Sequence, residues 1–445
     1  MRILHVPYSY YPDPAGGTEI YVHALANWQR TFGCEVAVAA PEKSDRRYDH
    51  DGVDVWRFGV AANPALGELY GEGDKTAAAG FAKILDECRP DILHLHAFTG
   101  AVSVLLAEEA ERRSIPVFFN YHTPTVSCAR GTLLRWGSEI CDGDLKNNPC
   151  AACTLNGYGV SRTAASMVSW LPLAASRKLG DMGLSGGIWT AARMPELVDT
   201  RIRAFHRLMR ISRRVFALCE WTKSLLTRNG VPAEKITLCR QGISWQPLPP
   251  RADRDHGLPL RVAFLGRFDP TKGTHLLVQA LRQNRDLPIR LDLYGVRQLE
   301  GGDRYAALIQ TAMGDDSRIR LLPPIPGNEV VPLLRGYELL AVPSQWLETG
   351  PLVVLEAFAA GTPVLGSDLG GIAELVRDGV DGVLVKHRDS AAAWAEALSM
   401  LCANPDMLTS LRAGIRTPRH TRDVALEMIP LYEMAAGSRK TTVCQ

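Results

Sequence analysis

The sequence lacks any uninterrupted apolar run near the roughly 18 residues that a membrane-spanning helix needs. Its first residues, MRILHVPYSYYPD, also lack an apolar core long enough for a secretory signal peptide, so we expect a cytoplasmic protein. A formal net charge of +2 leaves no basic excess, and the composition therefore predicts no binding to nucleic acid. The chain is, however, long. Its 445 residues, 46% hydrophobic and 22% charged, fit two domains of roughly 200 residues each.

The first loop of the chain also lacks a common nucleotide-binding motif. An apolar strand, Arg2 to Val6, is followed by a Pro/Gly-rich loop that opens a helix, and this loop has no GxGxxG. That motif is the usual fingerprint of a dinucleotide-dependent oxidoreductase, so its absence argues against that class. Gly16 and Gly17 would let a ligand approach the backbone beside the helix start, although a plain glycine turn explains them equally well.

Short apolar strands alternate with helical patterns along both halves of the chain, which predicts doubly wound parallel sheets of the α/β class. The further predicted strands are Glu35 to Ala39, Asp54 to Phe58, Asp91 to His96, Val117 to Asn120, Arg261 to Leu265, Ile289 to Tyr294, Ile319 to Leu322, Glu338 to Val342 and Gly382 to Val385. A Pro-rich, charged linker, Trp245 to Leu260, separates the halves. The last helical pattern, Arg422 to Met434, contains Pro430, which should kink or interrupt it, and the final SRKTTVCQ should be flexible.

The stretch PSQWLETGPLVVLEAFAAGTPVLGSDLGG combines two acids, a helix start and several glycines. Pro351 fits the first helical position, so Glu348 would lie in the loop and Glu356 on the helix. The unpaired amides around Gly350, Pro351 and Leu352 could receive a diphosphate. Carboxylates there would repel phosphate, so they are better explained as acceptors for hydroxyls of a sugar (Glu348) and a ribose (Glu356). In the alternative reading, Glu348 only complements the helix dipole and Glu356 is a solvated helical acid.

Two cations flank an earlier helix start in the second half of the chain. After the strand Arg261 to Leu265, the sequence GRFDPTKGTHLLVQAL places Arg267 and Lys272 beside the next helix. A planar guanidinium fork and an ammonium at a helix N-terminus predict a phosphate clamp that needs no metal ion. The alternative is two surface cations beside a loop.

Two histidines follow predicted strands of the first half, where parallel sheets bind their ligands. These are His96 in ILHLHAF and His122 in FFNYHTP. His122 is the candidate for a ligand contact, and a structural hydrogen bond is the alternative for either residue.

Four cysteines lie within 26 residues, whereas the other six are scattered. Cys128, Cys141, Cys150 and Cys153 occur in a polar, turn-rich segment that ends in CAAC, so they have little apolar surface to join. Four thiolates can close a tetrahedral shell around one structural zinc, for which an iron–sulfur cluster and free buried thiols are the alternatives. No cofactor is predicted for catalysis.

The segment Thr154 to Arg214 departs from a minimal sheet domain. Its second part, RMPELVDTRIRAFHRLMRISRR, mixes arginines with apolar positions. Such a segment could lie on an anionic membrane surface, which would make the protein peripheral at the inner face of the membrane. Alternatively it is an ordinary helix whose apolar stripe packs inward. The stripe consists of Leu197, Ile202, Phe205, Leu208 and Met209.

Several of these motifs resemble those of family 4 retaining glycosyltransferases. Glu348 and Glu356 match the E-x7-E signature, and the continuation through GTPV and the GG pair also matches. GGTE resembles the first loop of these enzymes, PDILHLH and NYHTP resemble two of their strand ends, and GRFDPTKG resembles their GRxxxxKG element. The cysteine-rich insertion at 128–153 is shared by only some members.

The resemblance implies the GT-B fold, with two facing Rossmann-like domains and a cleft between them. Residues 1–245 would be the acceptor-side domain, 261–415 the nucleotide-sugar domain, and 416–445 a helix crossing back to the first domain with a flexible tail. It further implies a metal-independent, hexosyltransferase-type enzyme that moves a sugar, with retention, from a nucleotide-diphosphate-sugar to a saccharide or lipid-linked acceptor in cell-surface polysaccharide or glycan synthesis. His122 and Glu348 would act at the sugar. The alternatives are a GT-B nucleotide-sugar epimerase and a noncatalytic sugar-binding module.

Overall fold

The computed structural model describes residues 1–13, 16–247, 259–297 and 299–442. These residues form two units. Unit 1 is Met1–Arg240 with Thr421–Gln445, and unit 2 is Gln241–His420. Most of the predicted linker, residues 248–258, lies outside the described residues. None of the helices in the described ranges combines the length and the apolar character that crossing a bilayer requires.

Unit 1 is built on a sheet of order β10-β9-β6-β5-β1-β2-β4-β3, parallel except for the antiparallel edge strand β3. Its strands are β1 Arg2–Val6, β2 Glu35–Glu42, β3 Arg46–His50, β4 Val53–Gly59, β5 Ile92–Leu95, β6 Val117–Tyr121, the separate pair β7 Leu134–Arg135 and β8 Glu139–Ile140, β9 Ser212–Ala217 and β10 Ile236–Leu238. Its helices are α1 Gly17–Thr31, α2 Lys75–Cys88, α3 Val104–Arg112, α4 Asn147–Gly157, α5 Arg162–Val168, α6 Leu173–Asp181, α7 Gly187–Ile211 and α8 Glu220–Arg228.

Unit 2 contains a wholly parallel sheet of order β13-β12-β11-β14-β15-β16. Its strands are β11 Leu260–Arg267, β12 Ile289–Val296, β13 Ile319–Leu322, β14 Leu339–Val342, β15 Val364–Ser367 and β16 Gly382–Val385. Its helices are α9 Thr274–Gln283, α10 Leu299–Met313, α11 Gly327–Leu334, α12 Leu352–Ala359, α13 Gly370–Leu375, α14 Ala391–Ala403 and α15 Pro405–Gly414, and the chain then returns to unit 1 as α16 Thr421–Thr442.

Helix α16 is part of the core of unit 1. Val424, Met428 and Tyr432 are fully buried there, together with strand residues such as Phe118. Each such side chain contributes about 1.5 to 3 kcal/mol when it leaves water, which explains why the last helix packs here. The helix is not interrupted at Pro430, and it extends to Thr442, so most of the tail predicted to be flexible is helical.

The apolar stripe of α7 packs inward, as the second of the two alternatives predicted. Leu197, Phe205 and Leu208 are fully buried, and Met209 nearly so. These stripe residues therefore cannot also lie on a membrane, although Ile188 and Trp189 at the start of the helix and several of its arginines are exposed.

Candidate functional site

A first group of candidate site residues lies where the strand order of unit 2 reverses. The chain runs outward from β11 through β12 to β13, and then resumes on the other side of β11 with β14. The loops that leave β11 and β14 therefore diverge, which opens a crevice at the carboxyl ends of these strands. These loops carry Arg267 and Lys272 on one side and Glu348 to Pro351 on the other.

Glycines hold the loops of this crevice together. Gly273 has a φ of +70°, and a Cβ on it would lie 1.9 Å from the carbonyl oxygen of Pro343, so no larger residue fits. At Gly371 a Cβ would lie 2.6 Å from the carbonyl oxygen of Glu348, which accepts the Gly371 N–H at 2.7 Å. The GG pair thus fixes the position of the Glu348 loop.

Glu348 is buried and forms an ion pair with Lys272. Its Oε1 atom accepts hydrogen bonds from Lys272 Nζ at 2.6 Å, Ser344 Oγ at 2.8 Å and Trp346 Nε1 at 2.8 Å. Burial raises the pKa of this carboxyl, but the charge and hydrogen bond of Lys272 and the other two donors outweigh it, so the net pKa is lowered. The Lys272 ammonium also lies 5.6 Å from the centre of the Trp346 ring. The acid assigned to the sugar and the cation assigned to the phosphates are therefore in direct contact.

Arg267 ends β11 and is exposed. Within the described residues its guanidinium has no hydrogen-bond or ion-pair partner. An unpaired guanidinium at the mouth of the crevice is available to an anionic ligand, as a clamp requires.

Helix α12 begins at Leu352, so Pro351 is the cap and not the first helical residue as predicted. Gly350 precedes it with a φ of +145°, a conformation that favours glycine. The amide groups of Gly350 and Leu352 donate to no acceptor in the described part of the chain. The predicted helix start with unpaired amides is thus present one residue later, and its binding of an anion stays a prediction.

Glu356 is a half-buried carboxyl on α12, and burial raises its pKa from the usual 4.5 to about 7. If the carboxylate accepts ribose hydroxyls, nucleotide affinity should rise roughly tenfold between about pH 6 and about pH 8, as the group ionises. Glu356→Gln should remove this dependence, and calorimetry on both proteins also separates it from the titration of the nucleotide's own phosphate. Equal pH profiles for parent and variant would contradict the assignment.

The raised pKa has a second consequence for Glu356→Gln. Because the folded-state pKa exceeds the unfolded one, ionisation costs stability as the pH rises from 4.5 through about 7. The full difference corresponds to about 3 kcal/mol, so the variant should be more stable than the parent above neutral pH and similar to it in acid. A residue that costs stability while its charge remains is typical of a binding site.

A separate group of candidate residues lies in unit 1, where β1 and β5 are neighbours at the corresponding reversal of strand order. Three buried histidines form a chain of hydrogen bonds that starts at Gln29. His5 Nε2 lies 2.7 Å from Gln29 Oε1, His5 Nδ1 lies 2.9 Å from His96 Nε2, and His96 Nδ1 lies 3.0 Å from His122 Nε2. His94 lies beside it and bonds Asn120 at 3.0 Å and Tyr432 at 2.7 Å.

Hydrogen bonding, rather than metal ligation, explains this cluster. Nitrogens of His5, His94 and His96 lie within 4.8 Å of one another, a spacing that would suit an ion. However, both ring nitrogens of each of the three already contact a hydrogen-bond partner, so a metal would have to displace those bonds.

Burial lowers the pKa of His122 to about 3 and that of His5 to about 4, so both rings are neutral at physiological pH. His122 can therefore serve a ligand as a neutral hydrogen-bonding group, and His96 fixes its orientation.

The first glycine loop also belongs to unit 1. Gly16 caps α1, and its N–H donates to Glu19 Oε2 at 2.8 Å, while the helix begins at Gly17. Because the Gly16 amide is already paired, only the amides that follow it at the helix start are left for a ligand.

The four clustered cysteines are neighbours, but they are not arranged as a closed shell. Burial is the main reason that the pKa of Cys150 rises to about 12, and the thiols of Cys128, Cys141 and Cys153 raise it further. No three cysteine sulfurs in the described chain lie within 4.8 Å of one another. The metal therefore stays a prediction.

Two features of the site were missed in the sequence. The Lys272–Glu348 pair joins residues 76 positions apart and depends on β11 lying next to β14. The position of His5 beside His94 on the adjacent strand depends in the same way on the register of β1 and β5. The only local signal was the HLH pattern, whose histidines are two residues apart and so share one face of a strand.

Comparison with protein families now adds to this geometry. Residues 16–152 match the family described as Glycosyl transferase 4-like domain, and residues 254–417 match Glycosyl transferases group 1. Both matched families are described as glycosyl transferases, and each match covers one part of the chain. The sequence is 34% identical over 240 residues to a D-inositol 3-phosphate glycosyltransferase of Nocardia farcinica, over 51% of this chain and 52% of that protein. The chain thus spans about half the length of the curated relatives it matches.

Solved structures show the fold of this chain. A sucrose-phosphate synthase from Thermosynechococcus elongatus aligns with a TM-score of 0.68 at 19% identity, over 98% of this chain and 99% of that one. The structure of Anabaena HepE in complex with UDP and glucose aligns with a TM-score of 0.64 at 17% identity, over 96% of this chain and 98% of that one. A UDP-GlcNAc 2-epimerase from Neisseria meningitidis bound to UDP-GlcNAc aligns with a TM-score of 0.55 at 14% identity, over 97% of this chain and 99% of that one. The predicted GT-B fold class is confirmed, and at these identities the likeness extends to the fold alone.

Proposed function

We propose that this protein is a retaining glycosyltransferase that uses a nucleotide-diphosphate-sugar donor. One observation carries the proposal: the crevice of unit 2 brings an unpaired guanidinium, the Lys272–Glu348 pair, free helix-start amides and the isolated carboxyl of Glu356 to the carboxyl ends of adjacent strands. Cations and amides suit a diphosphate, and carboxylates suit hydroxyls, so the set matches a nucleotide-sugar and not a simple anion.

The diphosphate would lie against Arg267, Lys272 and the amides at Gly350 and Leu352, with Glu356 on the ribose. Glu348 would accept sugar hydroxyls and hold Lys272 in position. Charge that develops on the leaving diphosphate is then stabilised by cations and dipoles that are already in place. His122, neutral and oriented by His96, would donate or accept a hydrogen bond at the donor sugar.

In the transfer step, the acceptor oxygen forms a bond to the anomeric carbon as the bond from that carbon to the phosphate oxygen breaks. For retention both events occur on the same face of the sugar, and the departing phosphate takes the acceptor proton. The protein then needs no nucleophile of its own, and its cations carry the charge stabilisation. The acceptor is a saccharide or a lipid-linked saccharide, in cell-surface polysaccharide or glycan synthesis on the cytoplasmic side.

A test of the proposal is whether donor consumption requires an acceptor. The protein is incubated with a bound nucleotide-sugar, with and without a panel of saccharide acceptors, and the products are followed by nuclear magnetic resonance. A new glycosidic bond with the anomeric configuration of the donor is expected. Isomerised sugar without any acceptor would instead support the epimerase, whose fold this chain shares. Binding with no turnover of any kind would support a noncatalytic module.

We further propose one structural zinc on Cys128, Cys141, Cys150 and Cys153, whose thiolates would be drawn together around the ion. Elemental analysis of protein purified without added metal should give near one zinc per chain, and near none for Cys150→Ser with Cys153→Ser. Cys402→Ser, which changes a half-buried thiol in unit 2, is the matched control and should keep its metal. Four freely titratable thiols in folded, metal-free protein would contradict the proposal.

A further inference from the structure

An unusual amount of apolar surface is exposed on one short part of unit 1. Large apolar side chains stand in solvent throughout residues 158–189, and Trp170 and Ile188 are 74% and 76% exposed. The exposed set is Tyr158, Met167, Trp170, Leu171, Met182, Ile188 and Trp189. Single exposed apolar residues are ordinary, but a cluster of this kind marks an interaction surface.

These side chains are presented by ordered helices that are anchored by polar contacts. Ser176 Oγ donates to the carbonyl of Ala192 at 2.8 Å and so fixes α6 against α7. Arg193 Nη1 donates to the carbonyl of Leu184 at 3.0 Å and fixes the turn between the two helices. On α6 Ser176 is buried and Leu173, Leu179 and Gly180 are half-buried, while the other residues of the helix are exposed. Trp170 precedes α6 and Ile188 follows it, which gives the patch a length of at least about 13 Å.

Neither matched family accounts for this surface. The matches end at residue 152 and resume at residue 254, so the whole exposed segment lies outside them. The apolar stripe of α7 is already used in the core and is a separate feature. The exposed surface at 158–189 therefore needs a partner of its own.

The charge around this patch indicates which partner. Residues 157–214 contain ten Lys and Arg and three Asp and Glu, a formal net charge of +7, whereas the whole chain carries +2. The remainder of the protein is therefore at −5, so the positive charge is concentrated here. The exposed cations of this region are Arg162, Arg177, Lys178, Arg203, Arg207, Arg210 and Arg213. Four of them, Arg162, Arg177, Arg203 and Arg207, form surface ion pairs with Glu139, Asp199 and Glu108, and such exposed pairs are weak enough for a lipid phosphate to replace the carboxylate. Exposed tryptophans among cations are typical of a surface that inserts at the headgroup level of an anionic membrane.

We propose that residues 158–189 seat this protein on an anionic lipid surface. The apolar side chains enter the headgroup region while the cations around them contact lipid phosphates. Since the surface lies in unit 1 and outside the crevice of unit 2, lipid binding does not depend on the proposed transfer reaction, and either can fail without the other.

The test is sedimentation of the full chain with vesicles of phosphatidylcholine alone or of phosphatidylcholine with phosphatidylglycerol. The parent should bind the anionic vesicles, not the neutral ones, and added salt should weaken binding. Trp170→Ser with Ile188→Ser should reduce the affinity by about tenfold or more. Leu308→Ser, at a 61% exposed position of unit 2, is the matched control and should bind like the parent. Thermal unfolding would show that both variants remain folded.

Three outcomes would overturn the proposal. These are no binding of the parent to anionic vesicles, equal binding by the parent and the double variant, and equal binding to neutral and anionic vesicles. Self-association of the parent that the double variant loses, without any vesicle binding, would assign the surface to a second copy of the chain instead.

Discussion

Arg267→Ala is expected to lower kcat/KM roughly 30-fold to 1000-fold. This corresponds to about 2 to 4 kcal/mol of lost transition-state stabilisation, by analogy with the loss of one preorganised donor to a developing charge. The unfolding free energy should stay close to that of the parent, because this exposed guanidinium has no partner in the described residues that its removal would leave unpaired. Steady-state kinetics with the identified donor and urea unfolding measure the two quantities separately.

Arg285→Ala is the matched control for this prediction. Arg285 is also an exposed arginine of unit 2, but it lies in the connection that leads into β12, at the amino ends of the parallel strands. Its replacement should change neither quantity. Near-parental turnover in Arg267→Ala, or an equal loss in both variants, would show that Arg267 does not stabilise a leaving diphosphate.

Lys272→Ala should behave differently, because it also destabilises the fold. It leaves the buried carboxyl of Glu348 without its counter-charge, and breaking a buried ion pair in this way costs about 3 to 5 kcal/mol. Combining it with Glu348→Gln should restore most of the unfolding free energy, since a neutral amide can still bond Ser344. Activity should be lost in all three variants.

A double-variant cycle of urea unfolding measures this coupling. The free energies of the two single variants should sum to a larger loss than the double variant shows. Additive losses would mean that the Lys272–Glu348 contact contributes nothing to stability, and an active double variant would remove both residues from the reaction.

Local patterns were sufficient to predict much of the fold. The strands Arg2–Val6, Ile319–Leu322 and Gly382–Val385 begin and end as predicted, because short apolar runs stop at polar residues, Gly or Pro. The helix start after Gly350 was predicted within one residue, since a Pro beside a glycine suits either the cap or the first position.

The contacts between distant segments were not predictable in this way. Lys272 and Glu348 meet only because β14 lies next to β11, and that neighbourhood is set by the packing of the whole sheet. Pro430 shows a related limit, since the penalty for proline within a helix is outweighed where residues on both sides of it, Met428 and Tyr432, are fully buried. The exposed apolar side chains at 158–189 are also invisible in the sequence, where the same residues are equally compatible with a core.

The crevice of unit 2 should bind a nucleotide-diphosphate-sugar, and a thermal-shift titration with UDP-, GDP- and ADP-sugars measures this binding. Because a ligand that binds only the folded protein stabilises it by mass action, one of these donors should raise the Tm in a saturable way. The shift should be lost or greatly reduced in Arg267→Ala and retained in Arg285→Ala. No shift with any of the donors, or the same shift in Arg267→Ala as in the parent, would contradict the claim.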